Sequence, residues 1–406
     1  MKLRPYQEEL SEKGCDVLTE LGIVYFAMEV RTGKTLTALN TAELFGAKRV
    51  LFLTKKKAIG SIQSDFDKFG FSFDLTVIND ESMHKLEDDF DLIIHDEHHR
   101  FGAFPKPGKA TRLFKQSFSH LPMIFLSGTP HPESFSQIFH QFWVSNFSPF
   151  KQWTNFYKWA NDFVNKKQKH LGHGIVNDYS EALIDKIRPH IEPYIITFTQ
   201  EQAGFETKVI ENVLTVKMKE RTYQMCDRLK KDLVIEGKEE VILADTGVKL
   251  MTKLHQMYSG TIKFESGNRM VLDDSKAQYI LNRFGSDKIA IFYKFSAELD
   301  MLKDVIGDRL TQDISEFDSD PTKWIALQII SGREGTNLSS ADFLLYLNID
   351  FSAVSYWQSR DRLTTMDRKE NDVFWIFSKG GIESKIYKTV KNKKDFTLSV
   401  FKKEMK

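Results

Sequence analysis

Residues 22–45 read GIVYFAMEVRTGKTLTALNTAELF. A short apolar run rich in β-branched and aromatic residues leads into a polar loop. The loop opens onto a segment whose apolar residues recur with helical spacing. The reading is strand, loop, helix. Within the loop, Arg31-Thr32-Gly33-Lys34-Thr35 has the form of the end of a P-loop. Gly33 lets the backbone approach a phosphate, and Lys34 can reach the β- and γ-phosphates of a nucleotide. Thr35 can place its hydroxyl on Mg2+ at the helix N-terminus. The full GxxxxGK[ST] pattern is broken, because Met28 stands where the first Gly is expected.

The same grammar recurs along the chain. Buried-strand patterns occur at 50–54, 75–79, 91–97 and 122–129, then again at 288–293, 323–331, 342–350 and 372–379. Nearly continuous apolar strands imply burial on both faces, and alternation with helices implies a parallel α/β sheet in each half. In such sheets the chemistry lies beyond the carboxyl ends of the strands. The two halves join near residue 200, where PYIITF gives way to TQEQAGFE. The stretch 215–260 reads as mainly helical, and TIKFESGNRMVL (261–272) as a hairpin turning at Gly267-Asn268. That hairpin is a structural ribbon or a pin that parts a duplex.

The second polar cluster is Asp96-Glu97-His98-His99, directly after FDLIIH. A carboxylate at a strand end can hold Mg2+, and its neighbour can orient and deprotonate an attacking water. The rival reading is a zinc hydrolase using His95, His98 and His99. Zinc sites of the HExxH kind need two histidines one helical turn apart, with Glu beside the first. Glu97 does not follow His95 in that order, and the residues before it read as strand.

Composition excludes several classes. Hydrophobic residues make up 41% of the 406 residues and charged ones 28%, which fits neither a disordered nor a collagen-like chain. No apolar run is long enough to span a bilayer, and MKLRPYQEEL turns polar at once, so neither a membrane span nor a signal peptide is expected. With only Cys15 and Cys226, a disulfide framework is not expected, and a reducing, cytoplasmic setting is. The net charge is +1, but it is unevenly laid out: residues 65–97 net −9, 100–169 net +8, 301–350 net −5, and 373–406 net +6. Fields act over a Debye length of ~8 Å in physiological salt, so a neutral total can hide a basic face. The basic segment 100–169 is interleaved with Phe101, Phe104, Phe114, Phe118, Phe142, Trp143, Trp153, Tyr157 and Trp159. These rings line a groove for single-stranded nucleic acid or, more ordinarily, fill a core.

Taken in order, these segments resemble the superfamily two helicases of the Swi/Snf-like, DExH-box branch, and compact phage-encoded members most of all. LRPYQ (3–7) is similar to the family's opening motif, which implies that Gln7 reads adenine. AMEVRTGKT (27–35) resembles its first motif, which also lacks the first Gly; this gives nucleotide contacts to Arg31, Thr32, Gly33, Lys34 and Thr35. TKKKAIGSIQSDF (54–66) sits where the family touches nucleic-acid backbone, implying contacts from Thr54, Lys55 and Lys56. DEHH matches the D-E-x-H box, implying Mg2+ on Asp96 (shared with Thr35), a catalytic base in Glu97 and a coupling role for His99. LSGTP (126–130) resembles the third motif, which couples through Ser127 and Thr129. SGREGTNLSSADFLLYLNID (331–350) resembles the fifth; it implies a nucleotide contact from Gly335 and DNA contacts from Gly332, Arg333, Thr336 and Asn337. YWQSRDRLTTMDR (356–368) resembles the sixth, with Gln358 and Arg362 at nucleotide-binding positions.

The resemblance implies two tandem RecA-like P-loop lobes, with ATP in the cleft between them. One lobe covers 1–200 with a helical insertion at about 131–190, and the other covers 201–406 with a basic helical tail. The sixth motif departs from the family pattern: Thr365 stands where the second arginine, usually the finger on the γ-phosphate, is expected. Arg362, or Arg360 or Arg368 by a shift in register, is expected to take over. The expected activity is an ATP- and Mg2+-dependent DNA helicase or translocase. It would be a monomer acting on single-stranded, forked or branched DNA in replication, recombination or repair, in the host cytoplasm for a phage-encoded protein. The alternatives are a double-strand translocase that separates no strands, and an annealing or binding module with weak ATPase.

Overall fold

The computed structural model describes residues 2–86, 89–128, 130–131, 134–171, 174–237, 239–332, 337–365 and 370–392. The chain divides into two compact units, one running to Phe205 and the other covering Glu206–Asn392. The fold class is the expected α/β, with a six-stranded parallel sheet in each unit.

In chain order the first unit runs α1 (Pro5–Leu21), β1 (Ile23–Met28), α2 (Lys34–Phe45), β2 (Arg49–Thr54), α3 (Ile59–Phe69), β3 (Asp74–Asn79), β4 (Leu92–His95), α4 (Lys109–Phe118) and β5 (Met123–Ser127). A subdomain follows, made of α5 (Ile138–Trp143), α6 (Phe156–Phe163), the hairpin β6 (Lys167–Leu171) and β7 (Gly174–Asp178), and α7 (Ile184–Ile191); β8 (Ile195–Phe198) then returns to the sheet. The strand order is β3-β2-β4-β5-β1-β8, every pair parallel. Successive side chains on each strand point to opposite faces. Ile23, Tyr25, Leu51, Leu53, Ile93 and Phe125 therefore meet the subdomain, where Phe139, Phe142, Phe150, Phe156 and Trp159 are buried. Val24, Phe26, Val50, Phe52, Leu92 and Leu126 meet α1 and α2 through Leu10, Leu18, Leu39 and Ala42. Most rings of the 100–169 segment are thus core. Phe101, Phe114, Phe118, Phe142 and Trp159 are buried, whereas Tyr157 is 43% exposed.

The second unit runs β9 (Lys208–Val216), α8 (Glu220–Asp232), β10 (Val234–Glu236), β11 (Val241–Leu243), α9 (Gly247–Tyr258), β12 (Thr261–Lys263), β13 (Arg269–Val271), α10 (Ser275–Phe284), β14 (Ile289–Tyr293) and α11 (Ser296–Ile306). It continues with β15 (Leu310–Thr311), α12 (Ile314–Ser319), β16 (Trp324–Gln328), α13 (Ile329–Gly332), β17 (Phe343–Tyr346), α14 (Ala353–Arg360), β18 (Glu370–Ser378) and α15 (Glu383–Asn392). Its sheet order is β15-β16-β14-β17-β18-β9, again wholly parallel. The expected hairpin at 261–272 forms, with β12 antiparallel to β13 and Gly267 at φ 95° in its turn. The stretch 215–260 is mainly helical as read, with α8 and α9 separated by the short β10–β11 ribbon. Among the described residues no helix is long and apolar enough to cross a membrane.

Candidate active site

The P-loop is the turn between β1 and α2. Arg31 (φ 63°) and Gly33 (φ 81°) both take the left-handed conformation, which folds the backbone back on itself. Such a conformation costs a non-glycine residue about 1 kcal/mol, but glycine little. A Cβ on Gly33 would also stand 2.1 Å from Gln7 Nε2, so the Gln7 amide would have to shift to admit it. Thr32 is buried and donates its hydroxyl to the Glu29 carbonyl at 2.7 Å. Lys34 Nζ donates to the carbonyls of Met28 and Glu29, each at 3.1 Å, so the ammonium lies within the loop.

Gln7 braces that loop. Its Oε1 accepts from Arg4 N at 2.9 Å, completing the N-terminal cap of α1, and its Nε2 donates to Gly33 O at 3.3 Å. Tyr6 donates to Thr32 O at 3.2 Å and stacks on Phe198 at 4.8 Å between centroids. The structure places Gln7 against the phosphate loop, where its amide already holds two backbone groups.

The DEHH segment leaves β4, which lies between β2 and β5. The register pairs Leu53 with His95, and Asp96 N continues the ladder to Leu53 O at 2.9 Å. Thr54 therefore faces Asp96 and donates to its Oδ2 at 3.0 Å, while Oδ1 accepts from Glu97 N at 2.9 Å. Glu97 is itself left-handed at φ 50°. Burial, and then the neighbouring Glu97 charge, push Asp96 up to about 6 against the pull of Lys34 and Thr54. Burial works the same way on Glu97, but the His99 hydrogen bond and the charges of His99, Lys34 and Lys55 outweigh it and hold Glu97 down at about 2. Both carboxylates feel Lys34, so the P-loop and the DEHH turn share one field. The loop after β5 closes on the same place: a Cβ on Gly128 would lie 3.6 Å from Met28 O and 3.9 Å from Lys34 Nζ.

His99 connects the second and third loops. Its Nδ1 is 3.2 Å from Glu97 Oε2 and 2.9 Å from Ser127 Oγ. Thr129, expected beside Ser127, lies outside the described residues. Beneath the turn is a network, buried except at Arg100, that the sequence spacing does not signal. Arg100 pairs with Asp80 at 2.7 Å, Asp80 with His95 at 3.2 Å, and His95 Nδ1 meets His98 Nδ1 at 2.5 Å. His98 Nε2 faces Gln141 O at 2.8 Å, and burial holds His98 well below its ordinary range. The ring nitrogens of His95 and His98 are thus used within the fold. Among the described residues no three His, Cys, Asp or Glu side chains are placed to share a metal ion. The donor set of Lys34, the Thr35 hydroxyl and the Asp96 carboxylate suits a triphosphate with a hard divalent cation, which takes oxygen ligands.

Two residues expected on nucleic acid are buried within the first and second units respectively. Thr54 is 1% exposed and its hydroxyl serves Asp96, so it belongs to the DEHH site. Gly332 is buried at the end of α13, where a Cβ would come 2.6 Å from the Phe292 ring and 2.8 Å from Leu327 Cβ; it is a packing position. Lys55 is half-buried, whereas Lys56 and Asn337 are exposed. Arg333, Gly335 and Thr336 lie outside the described residues, as does Arg368.

In the second unit, Gln358 and Arg360 lie on α14, and Arg362 on the short turn after it. The Arg360 guanidinium is committed elsewhere: its Nη1 pairs with Glu211 Oε1 at 3.1 Å. Glu211, on β9, also accepts from Tyr356 at 2.7 Å, Tyr387 at 2.8 Å and Trp375 Nε1 at 3.2 Å. Arg360, expected as a catalytic candidate, is an ion-pair partner of Glu211 within this unit. Arg362 is half-buried, and its carbonyl accepts from Leu338 N at 3.2 Å, which ties it to the segment of the fifth motif.

No family model matches this chain, and no curated protein does. Among solved structures it is similar to the Sulfolobus solfataricus SWI2/SNF2 ATPase core in complex with dsDNA, with 16% identity, 98% of this chain and 93% of that chain covered, and a TM-score of 0.41. A second similar structure is the Sulfolobus solfataricus SWI2/SNF2 ATPase core domain, at 16% identity, 97% and 89% coverage, and a TM-score of 0.42.

Proposed function

We propose that this chain is an ATP-driven motor on DNA that unwinds or remodels forked or branched structures. One observation carries the reading. Lys34 and the carboxylates of Asp96 and Glu97 meet at the carboxyl edge of one parallel sheet, and His99 bridges Glu97 to Ser127. Bound MgATP supplies the phosphoanhydride bond whose hydrolysis drives the cycle. Gly33, Lys34 and Thr35 would hold the phosphates at the N-terminus of α2, and Thr35 with Asp96 would hold the cation. Glu97, ionised at neutral pH, orients a water and takes its proton. A change at Glu97 is felt at Ser127 through His99, which gives hydrolysis a route to the loop after β5.

Lys55, Lys56 and Asn337, with Arg333 and Thr336, are the proposed contacts to the DNA strand. The preference for DNA, and for work in replication, recombination or repair, follows from the resemblance of the motifs. So do the monomeric state and the host cytoplasm. Arg362 is the proposed finger. The test is an ATPase assay with single-stranded, duplex and forked DNA and with RNA, run beside a strand-separation assay. Stimulation by forked DNA together with strand separation is expected. Turnover absent with every nucleic acid, or stimulated by RNA alone, would overturn the proposal. Stimulation by duplex without strand separation would replace it with the double-strand translocase.

A further inference from the structure

The carboxyl ends of β1 and β8 lie side by side, with Met28 opposite Phe198. From there the two chains part. One becomes the P-loop, and the other becomes residues 199–205, which lead into the second unit. Three hydrogen bonds keep them together past the end of the sheet. Glu29 N donates to Phe198 O at 2.9 Å, Gln200 N to Glu29 Oε2 at 2.8 Å, and Gln200 Nε2 to Val30 O at 2.9 Å. The connecting segment is itself a compact turn. Ala203 N donates to Thr199 O and Phe205 N to Gln200 O, Gly204 is left-handed at φ 85°, and Phe205 packs on the core beneath.

Glu29 thus serves two masters. Its carboxylate holds Gln200, while its carbonyl accepts from Lys34 Nζ and from the Thr32 hydroxyl. Lys34 cannot turn toward a phosphate without loosening its bonds to the Met28 and Glu29 carbonyls. That change arrives at the residue that grips the connecting segment. We infer that Gln200 is a positioning residue that fixes the P-loop through Glu29 and Val30. The clasp transmits the state of Lys34 to the segment joining the two units. The inference rests on the P-loop's being a nucleotide site.

The test uses the full chain with Gln200→Ala, Glu29→Ala and Glu29→Gln, after thermal unfolding has shown each to be folded. Gln200→Ala keeps the backbone bond to Glu29 but loses the bond to Val30, and Glu29→Gln keeps an acceptor for Gln200 N. Loss of one such bond corresponds to roughly a fivefold effect. KM for ATP should rise about fivefold in Gln200→Ala and in Glu29→Ala, with kcat changed less than about twofold, and should recover in Glu29→Gln. Hydrogen exchange over residues 199–205, measured without nucleotide, should quicken in Glu29→Ala but not in Glu29→Gln. Unchanged exchange in Glu29→Ala, or an unchanged KM in both alanine variants, would overturn the clasp. Wild-type protein that turned over no ATP would count against the proposed function, while the exchange measurement would still decide the clasp.

Discussion

Thr54 donates its hydroxyl to Asp96 Oδ2 at 3.0 Å across two neighbouring strands. That bond is one of the few forces holding the Asp96 carboxyl down, against burial and the Glu97 charge that push it to about 6. A hydrogen bond to a charged group contributes about 1.5–3 kcal/mol, and one pKa unit corresponds to about 1.4 kcal/mol. Thr54→Val keeps the shape and removes the bond, so Asp96 should rise by roughly one unit. The acidic limb of the ATPase pH profile should move to higher pH, with activity relative to wild type lowered roughly threefold at pH 6.5 and regained at pH 8.5. An unmoved limb would deny Asp96 an essential ionisation.

On the proposed function, Lys34 and Glu97 carry the chemistry. Glu97→Gln keeps the size and the His99 contact but cannot take a proton. General base catalysis typically contributes 10²- to 10⁴-fold, so kcat should fall by about that factor with KM little changed. Lys34→Ala should instead raise KM strongly, as read from nucleotide affinity. Steady-state kinetics of the two variants separates the roles.

Arg360 and Arg362 should part in the same experiment. Arg360→Ala leaves Glu211 with the charge of Lys391 and three neutral donors, and losing one hydrogen bond to a charged group costs about 1.5–3 kcal/mol. Its mark should be a lowered unfolding midpoint. Arg362→Ala should slow ATP turnover of the folded protein by about 10³-fold or more, the usual cost of losing a finger arginine and well beyond the effect of Arg360→Ala. The reverse pattern would exchange the assignments.

His255 sets an acid limit on the second unit. It is buried, its Nε2 meets Asn348 Oδ1, and Asn348 donates onward to Glu298 Oε1 at 2.6 Å. Burial first, then Lys294 and Lys276, depress it to about 3, opposed by Asn348 and Asp350. The unfolded chain takes up this proton below about 6.5, whereas the folded one does not until about 3. Between those values the unfolded state holds more protons, so stability is full above 6.5 and falls as pH drops, by at most about 1.4 kcal/mol per pH unit for this group. The stability gap between wild type and His255→Gln should therefore narrow from pH 7.5 to pH 5, as read by urea unfolding.

The strands were legible where both faces are buried. IVYFAM and MIFLS lie wholly inside, and their continuous apolar runs announce it. β9 escaped that test. As an edge strand, KVIENVLTV alternates exposed and half-buried positions, and Glu211 points a carboxylate inward at four donors. In the site, GKT and DEHH stood out because each clusters polar residues after an apolar run. The bond from Thr54 to Asp96 was not legible, because only strand register turns Thr54 toward Asp96. Nothing in the spacing of Glu29 and Gln200, or of Asp80 and Arg100, signals that they meet.

The same edge strand also sets an order of events. β9 has one sheet neighbour, β18, and the register runs from Lys208–Glu370 to Val216–Ser378. Pairings this remote in sequence make folding slow, because a large loop must close before the contact repays it. During synthesis the first unit, whose last strand ends at Phe198, can be completed while β9 still waits, unpaired, for the end of its own domain to leave the ribosome. A stalled or truncated chain would therefore present a folded first unit joined to an open strand edge, the form most exposed to aggregation and most in need of a chaperone.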